Sequence, residues 1–261
     1  MIRSDFYRVS KRRRLWLLLP IYLILLVMEL NSIFTTDMAQ SLQDVDWFVQ
    51  AGSRTIWPPL FPTKAYLIHQ YLVYFIVALP ASDLFIEDAK TQFLEHYQMH
   101  AKREKYALSH YMSNFIIAGL AGVLPLLCIS WLDFMMVPSV GTHPINMNVL
   151  PADRAYLYDL FFDHFWLYFF IVQIRAFLGC GLIGAFSMAI NNTFHNSYVG
   201  YVLPLFIMQL SVELPVIGDA YLVTELPSSV SKIGVGGWIF VLLMIAFILY
   251  DVFKQMKGNE R

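Results

Sequence analysis

His96 and His100 stand four residues apart in a helix-prone stretch, the spacing that puts two imidazoles on one helical face and that helical metal sites use. A metal ion also needs a third and a fourth ligand. His143, His164 and His195 fall singly on separate connections, and the helical neighbours of His96 and His100 bring no clustered acids, so solvated surface histidines are expected rather than a metal centre. Nucleophilic chemistry has less to draw on. There is no Gly-x-Ser-x-Gly motif, and Ser130, Ser187 and Ser211 have no base near them in the chain. Apolar runs carrying paired acids, as in intramembrane proteases, are missing, and so is a glycine-rich phosphate loop closed by Lys-Ser/Thr. The expectation is a chain with no catalytic residues, no metal and no bound cofactor, so that any nucleotide chemistry belongs to a separate subunit.

Three charges stand out for where they fall. Arg175 lies about a dozen residues into an apolar run, where a cation costs about 2.5–3.5 kcal/mol on insertion scales. It should face protein or a water-filled cavity, with Glu29 and Glu213 as candidate partners, and these three residues are the candidates for a translocation path. The other reading of Arg175 is a structural ion pair inside a helix bundle. Asp133, near the end of its run, reads as solvated. The aromatic series Phe161, Phe162, Phe165, Trp166, Tyr168, Phe169 and Phe170 reads as an anchor in the outer membrane interface.

The elements that must position these residues follow from composition. The 261 residues are 58% hydrophobic and 14% charged, with a mean hydropathy of +0.55. A water-soluble domain carries roughly 25% charged residues, so the chain is expected to be an all-α polytopic membrane protein with a single domain over residues 1–261. A crossing needs about 20 mostly apolar residues. Six runs approach that: Leu15–Phe34, Tyr66–Phe85, Tyr111–Val137, His164–Ile190, Val199–Glu213 and Gly236–Phe253. The first has no small-residue cleavage site behind it and reads as a retained anchor. Cys128 and Cys180 both sit in apolar runs and are expected to be buried thiols, with no disulfide framework.

Lysine and arginine set the orientation. They crowd residues 1–14 (Arg3, Arg8, Lys11, Arg12, Arg13, Arg14), the connection 86–110 (Lys90, Lys102, Arg103, Lys105) and the tail 254–261, while the alternate connections are poorer in them. Six spans with both termini in the cytoplasm satisfy this. In the outer connections, Ala152–Phe162 reads as an interfacial amphipathic helix leading into the fourth span. Ala118 with Gly122, and Gly181 with Ala185, have the small-xxx-small spacing of close helix crossings.

Between the second and third runs, Phe85–His100 reads as an amphipathic helix with Phe85, Ala89, Phe93 and Tyr97 along one face. The basic step Lys102-Arg103-Glu104-Lys105-Tyr106-Ala107-Leu108-Ser109 follows it. Together with His164-Phe165-Trp166-Leu167-Tyr168 opening the fourth span, Asn196-Ser197-Tyr198, and Leu203-Pro204 in the fifth, this resembles the six-span permease subunits of ABC transporters, the ABC-2 type of Gram-positive bacteria. The resemblance covers most of the chain in layout. It implies an exporter of a peptide or other amphipathic molecule. It also implies a coupling helix near residues 86–100 seated on a separate ATPase, with Glu87, Asp88, Thr91, Gln92, Phe93, Leu94 and Tyr97 as the contact residues. The implied partners are two ABC ATPase subunits carrying ATP and Mg, a second permease subunit, identical or related, and membrane lipids; nucleic acid is not among them. The other reading of the same helix is an interfacial element held on the inner leaflet by its basic end. The other readings of the whole chain are a non-transporting receptor or immunity-type protein that binds a peptide or lipid partner, and a membrane-embedded enzyme.

Overall fold

A computed structural model describes residues 2–35, 63–91, 103–136, 157–213 and 235–257, and all regular structure among them is helical. Its elements follow the apolar runs. Helix α1 is Ile2–Ser10. A single 3₁₀ turn, Arg13–Leu17, leads into α2, Leu18–Thr35. Helix α3 is Lys64–Ala78, capped by Thr63, whose Oγ1 accepts from the Tyr66 amide at 3.2 Å. Helix α4 is Leu84–Lys90, α5 Arg103–Met136, α6 Tyr158–Asp163, α7 Phe165–Phe194, α8 Ser197–Glu213 and α9 Val235–Lys257.

Among the described residues, four helical segments are long and apolar enough to cross a membrane: Arg13–Ser32, Glu104–Met136, Phe165–Phe194 and Trp238–Lys257. The second and fifth runs of the six expected form the shorter helices α3 and α8, of 15 and 17 residues. At 1.5 Å per residue, α3 spans about 22 Å, less than the roughly 30 Å of a bilayer's hydrocarbon. Its apolar run continues to Phe85, but the helix ends at Ala78 and the chain turns through Pro80 before restarting as α4.

The two longest helices, α5 and α7, make the central contact, and it is built on glycine. A Cβ at Gly184 would collide with the Cβ of Ala118, and one at Gly122 with the Cys180 sulfur. One at Gly119 would lie 2.6 Å from the Phe177 ring, and one at Gly181 would lie 2.8 Å from Phe115. The small-residue pairs read from the sequence therefore sit in the crossing itself, where they let two backbones approach. Helix α3 packs on α2, α5, α7 and α8; α2 also rests on α5, and α9 lies against α5 and α7.

Pro125 interrupts α5 and, having no N–H, leaves the carbonyl of Ala121 without its helical donor. The Tyr22 hydroxyl on α2 donates to that oxygen at 2.6 Å. One residue on, His69 of α3 donates from Nε2 to the Gly122 carbonyl at 3.0 Å. Freed backbone groups inside an apolar bundle need such partners, so the proline break becomes the point where α2 and α3 are pinned to α5. Outward, α2 and α9 expose Leu19, Leu23, Val27, Leu242, Leu243 and Phe253, an apolar surface suited to lipid rather than water.

The aromatic series is divided by helical period. Phe161, Phe165, Tyr168 and Phe169 form a buried cluster with Val172, while Trp166 and Phe170 are exposed. Only the latter two fit the interfacial anchor expected of the whole series. Of the helix expected over Ala152–Phe162, the described part begins at Tyr158, after Leu157 in a left-handed conformation (φ 52°).

Candidate functional site

The polar residues gather at one end of the bundle, where α1, the α3–α4 turn, the start of α5, the α7–α8 junction and the end of α9 meet. The centre of the gathering is Asp88, on the inner side of α4 and fully buried. Arg8 of α1 pairs with it, its other guanidinium nitrogen donating to Oδ2 at 3.2 Å. From α5, Tyr106 donates to Asp88 Oδ2 at 2.5 Å and His110 Nε2 lies 2.9 Å from the same oxygen. The other ring nitrogen, His110 Nδ1, lies 3.0 Å from Asp5 Oδ2, which also accepts from Ser113 at 3.1 Å. A histidine with a carboxylate on each nitrogen donates from both, as the imidazolium. Arg8 and His110 thus balance Asp5 and Asp88, and the interior of the site is charge-neutral. Burial alone would oppose ionisation of Asp88. The hydrogen bonds from His110, Arg8 and Tyr106 outweigh it and hold the carboxyl at about 2.

A second layer lies nearer the surface. Arg12 donates to Asp83 at 2.6 Å and to the Pro80 carbonyl at 3.2 Å, and also pairs with Glu87. Arg14 pairs with the same Asp83 and donates to the Tyr201 hydroxyl of α8. Burial raises the Asp83 carboxyl, but the two guanidinium groups beside it keep it below the ordinary carboxylate range. A third layer joins the far helices. Tyr111 of α5 donates to Asp251 of α9, which also accepts from Asn192 of α7 at 2.8 Å, and Asn191 donates to the Ser82 carbonyl at 3.0 Å. Phe85 closes the site from α4, its ring 5.6 Å from Tyr106, 5.0 Å from His110 and 5.8 Å from Tyr111.

The residues expected to meet an ATPase are divided by this arrangement. Glu87 and Thr91 are exposed, whereas Asp88 is buried and spent on internal partners. The face expected to carry Phe85 and Ala89 together is rotated: Leu84, Phe85 and Asp88 point inward and Ala89 is exposed. The helix expected to continue to His100 ends at Lys90, with Thr91 as its cap. Gln92, Phe93, Leu94, Tyr97, His96 and His100 lie outside the described residues, as does His143.

Of the translocation-path candidates, Arg175 is half-buried on α7. Glu213 closes α8, and its side chain is outside the described residues. Glu29 is fully buried on α2, where it accepts from Thr63 Oγ1 at 2.6 Å, and Asp133 of α5 is its acidic neighbour. Asp133 is therefore not solvated, as its position near the helix end suggests, but buried at 1% exposure beside a second carboxyl. Glu29 spends its contacts there rather than on Arg175.

The arrangement can hold elements together; it offers no nucleophile with a free base. Among the described residues, no group of three or more His, Cys, Asp or Glu side chains could hold a metal ion. In the sequence, Arg8, Arg12 and Arg14 read only as orientation signals, and their partners are missed. A signal is present: Asp83, Glu87 and Asp88, at i, i+4 and i+5, supply the acids that a basic N-terminus would seek. No protein-family model matches the chain, and no curated protein matches it.

Proposed function

We propose that the chain is the membrane-spanning subunit of an ATP-driven transporter of the ABC-2 permease kind, with both termini cytoplasmic, exporting a peptide or another amphipathic molecule. The observation that supports it is the bracing of α4. A helix that transmits a push must not yield, and α4 is tied through Asp88 to Arg8, Tyr106 and His110 while its Glu87 and Thr91 edge stays exposed. A separate ATPase, binding ATP and Mg, would bear on that edge. Displacement would pass through Asp88 and Phe85 into the long α5 as a rigid-body tilt, opening a path beside a second permease subunit. Arg175, inside α7, is the candidate for contact with an anionic group on the cargo.

The test is co-purification from native membranes, with a photo-crosslinking residue in place of Thr91. Capture of a protein bearing Walker motifs, with ATPase activity that falls in Glu87→Lys, supports the reading. Purification of an intact chain with no nucleotide-binding protein crosslinked at Thr91 removes it and leaves a non-transporting receptor as the better description.

A further inference from the structure

Beside the buried site lies an open cavity of about 390 Å³, lined by Arg12, Arg13, Arg14 and Lys90 together with Asp83 and Glu87. That volume is in the range of small-ligand sites. Four cations against two carboxylates leave an excess of two positive charges. The two acids are committed, Asp83 to Arg12 and Arg14, and Glu87 to Arg12. Arg13 and Lys90 are both exposed and have no ion-pair partner among the described residues. The cavity is thus a preformed concave site whose uncompensated charge comes from two side chains on different elements.

The chain that leaves the cavity is apolar. From Arg13 the chain runs directly into Trp16, Leu19, Leu23 and Val27, spaced at three to four residues and all exposed. This stripe descends along α2, one of the segments long and apolar enough to span a membrane. A soluble phosphate or an acidic peptide would use the cations and leave the stripe uncovered. A molecule with a phosphodiester head and acyl chains uses both.

We infer that the cavity between the N-terminal arginines and α4 binds one anionic phospholipid of the inner leaflet, with its phosphodiester on Arg13 and Lys90 and its acyl chain along Trp16, Leu19, Leu23 and Val27. The lipid joins the segment before α2 to the end of α4, so its occupancy bears on how firmly α4 is held. The inference rests on the bundle lying in a bilayer with its N-terminus cytoplasmic, as in the proposed reading, and does not depend on transport.

Native mass spectrometry of the full chain, delipidated and titrated with phosphatidylglycerol or phosphatidylcholine, measures the preference directly. A basic residue near the surface contributes about 1 kcal/mol toward an anionic lipid. Arg13→Gln with Lys90→Gln should therefore lower the preference for phosphatidylglycerol roughly 25-fold, and Lys90→Gln alone about 5-fold. Neither residue carries an ion pair among the described residues, so the melting temperature should stay unchanged. The control, Lys105→Gln with Lys257→Gln, removes two exposed cations elsewhere and should leave the preference intact. An equal loss in the control, or none in the Arg13/Lys90 variant, overturns the site. Full displacement of the lipid by soluble glycerophosphoglycerol, or by a glutamate-rich peptide at matched concentration, overturns the lipid as its occupant.

Discussion

Replacing Asp88 by asparagine keeps the side chain's size and removes the charge on which Arg8, His110 and Tyr106 converge. The position is fully buried, and Arg8 and His110 would be left as cations with Asp5 as the only carboxylate of the inner layer. Breaking one partner out of a buried pair costs about 3–5 kcal/mol, because the remaining charge is stranded. For a chain of this length, a loss of about 3 kcal/mol lowers the melting temperature by about 6–12 °C. Glu87→Gln is the internal comparison. Its side chain is 47% exposed and its pair with Arg12 is a surface one, so the loss should be about 1 kcal/mol or less. Acid provides a second reading. Asp88 ionises at about 2 rather than 3.8, so its contribution is present at neutral pH and is lost as pH falls from roughly 4 toward 2, an effect of about 2 kcal/mol. The Asp88→Asn chain should show a smaller acid limb, since Asp83, also held low by its arginines, still contributes. Thermal unfolding in detergent across this range, with trypsin cleavage at Arg8 as a monitor of α1 release, measures both. Equal melting temperatures for the Asp88→Asn and Glu87→Gln chains would refute the claim that Asp88 anchors the N-terminal helix.

Glu29→Gln keeps an oxygen to accept from Thr63 and relieves the crowding of two buried carboxyls, so it should change stability by less than about 1 kcal/mol. Glu29→Ala, which strands Asp133 and Thr63, should cost about 1–3 kcal/mol in the same melts. Gly184→Val should push α7 away from Ala118 and cost about 1–3 kcal/mol, and loss of folded, monodisperse protein on size exclusion is the check.

The parts legible in the sequence are those whose signal is local. The apolar runs mark α2, α5, α7 and α9 because length and composition suffice to define a crossing. The pairs Ala118–Gly122 and Gly181–Ala185 mark the close face of α5 and α7 because small-residue spacing is a property of one helix. The ion-pair layers are not readable for the opposite reason. Arg8 and Asp88 are 80 residues apart, and Arg14 and Tyr201 are 187 apart, so nothing in either neighbourhood names the other. Asp133 is misplaced on similar grounds, since its burial depends on Glu29 and Thr63 arriving from α2 and the cap of α3. The orientation of α4 is misread because Phe85 and Ala89 fit an apolar stripe. The bundle instead buries Asp88, to which Arg8, Tyr106 and His110 donate from other elements, and leaves Ala89 exposed.

The clasp formed by the first fourteen residues has a consequence for biosynthesis. These residues are synthesised before their partners, Asp83, Glu87 and Asp88 and, later still, Tyr201. The basic segment must therefore wait, unpaired, until those residues follow. Contacts of such long sequence separation close late and slowly, so the N-terminal helix should be the last piece to lock and the first to come away. Its seating therefore follows, rather than guides, the packing of the rest of the bundle.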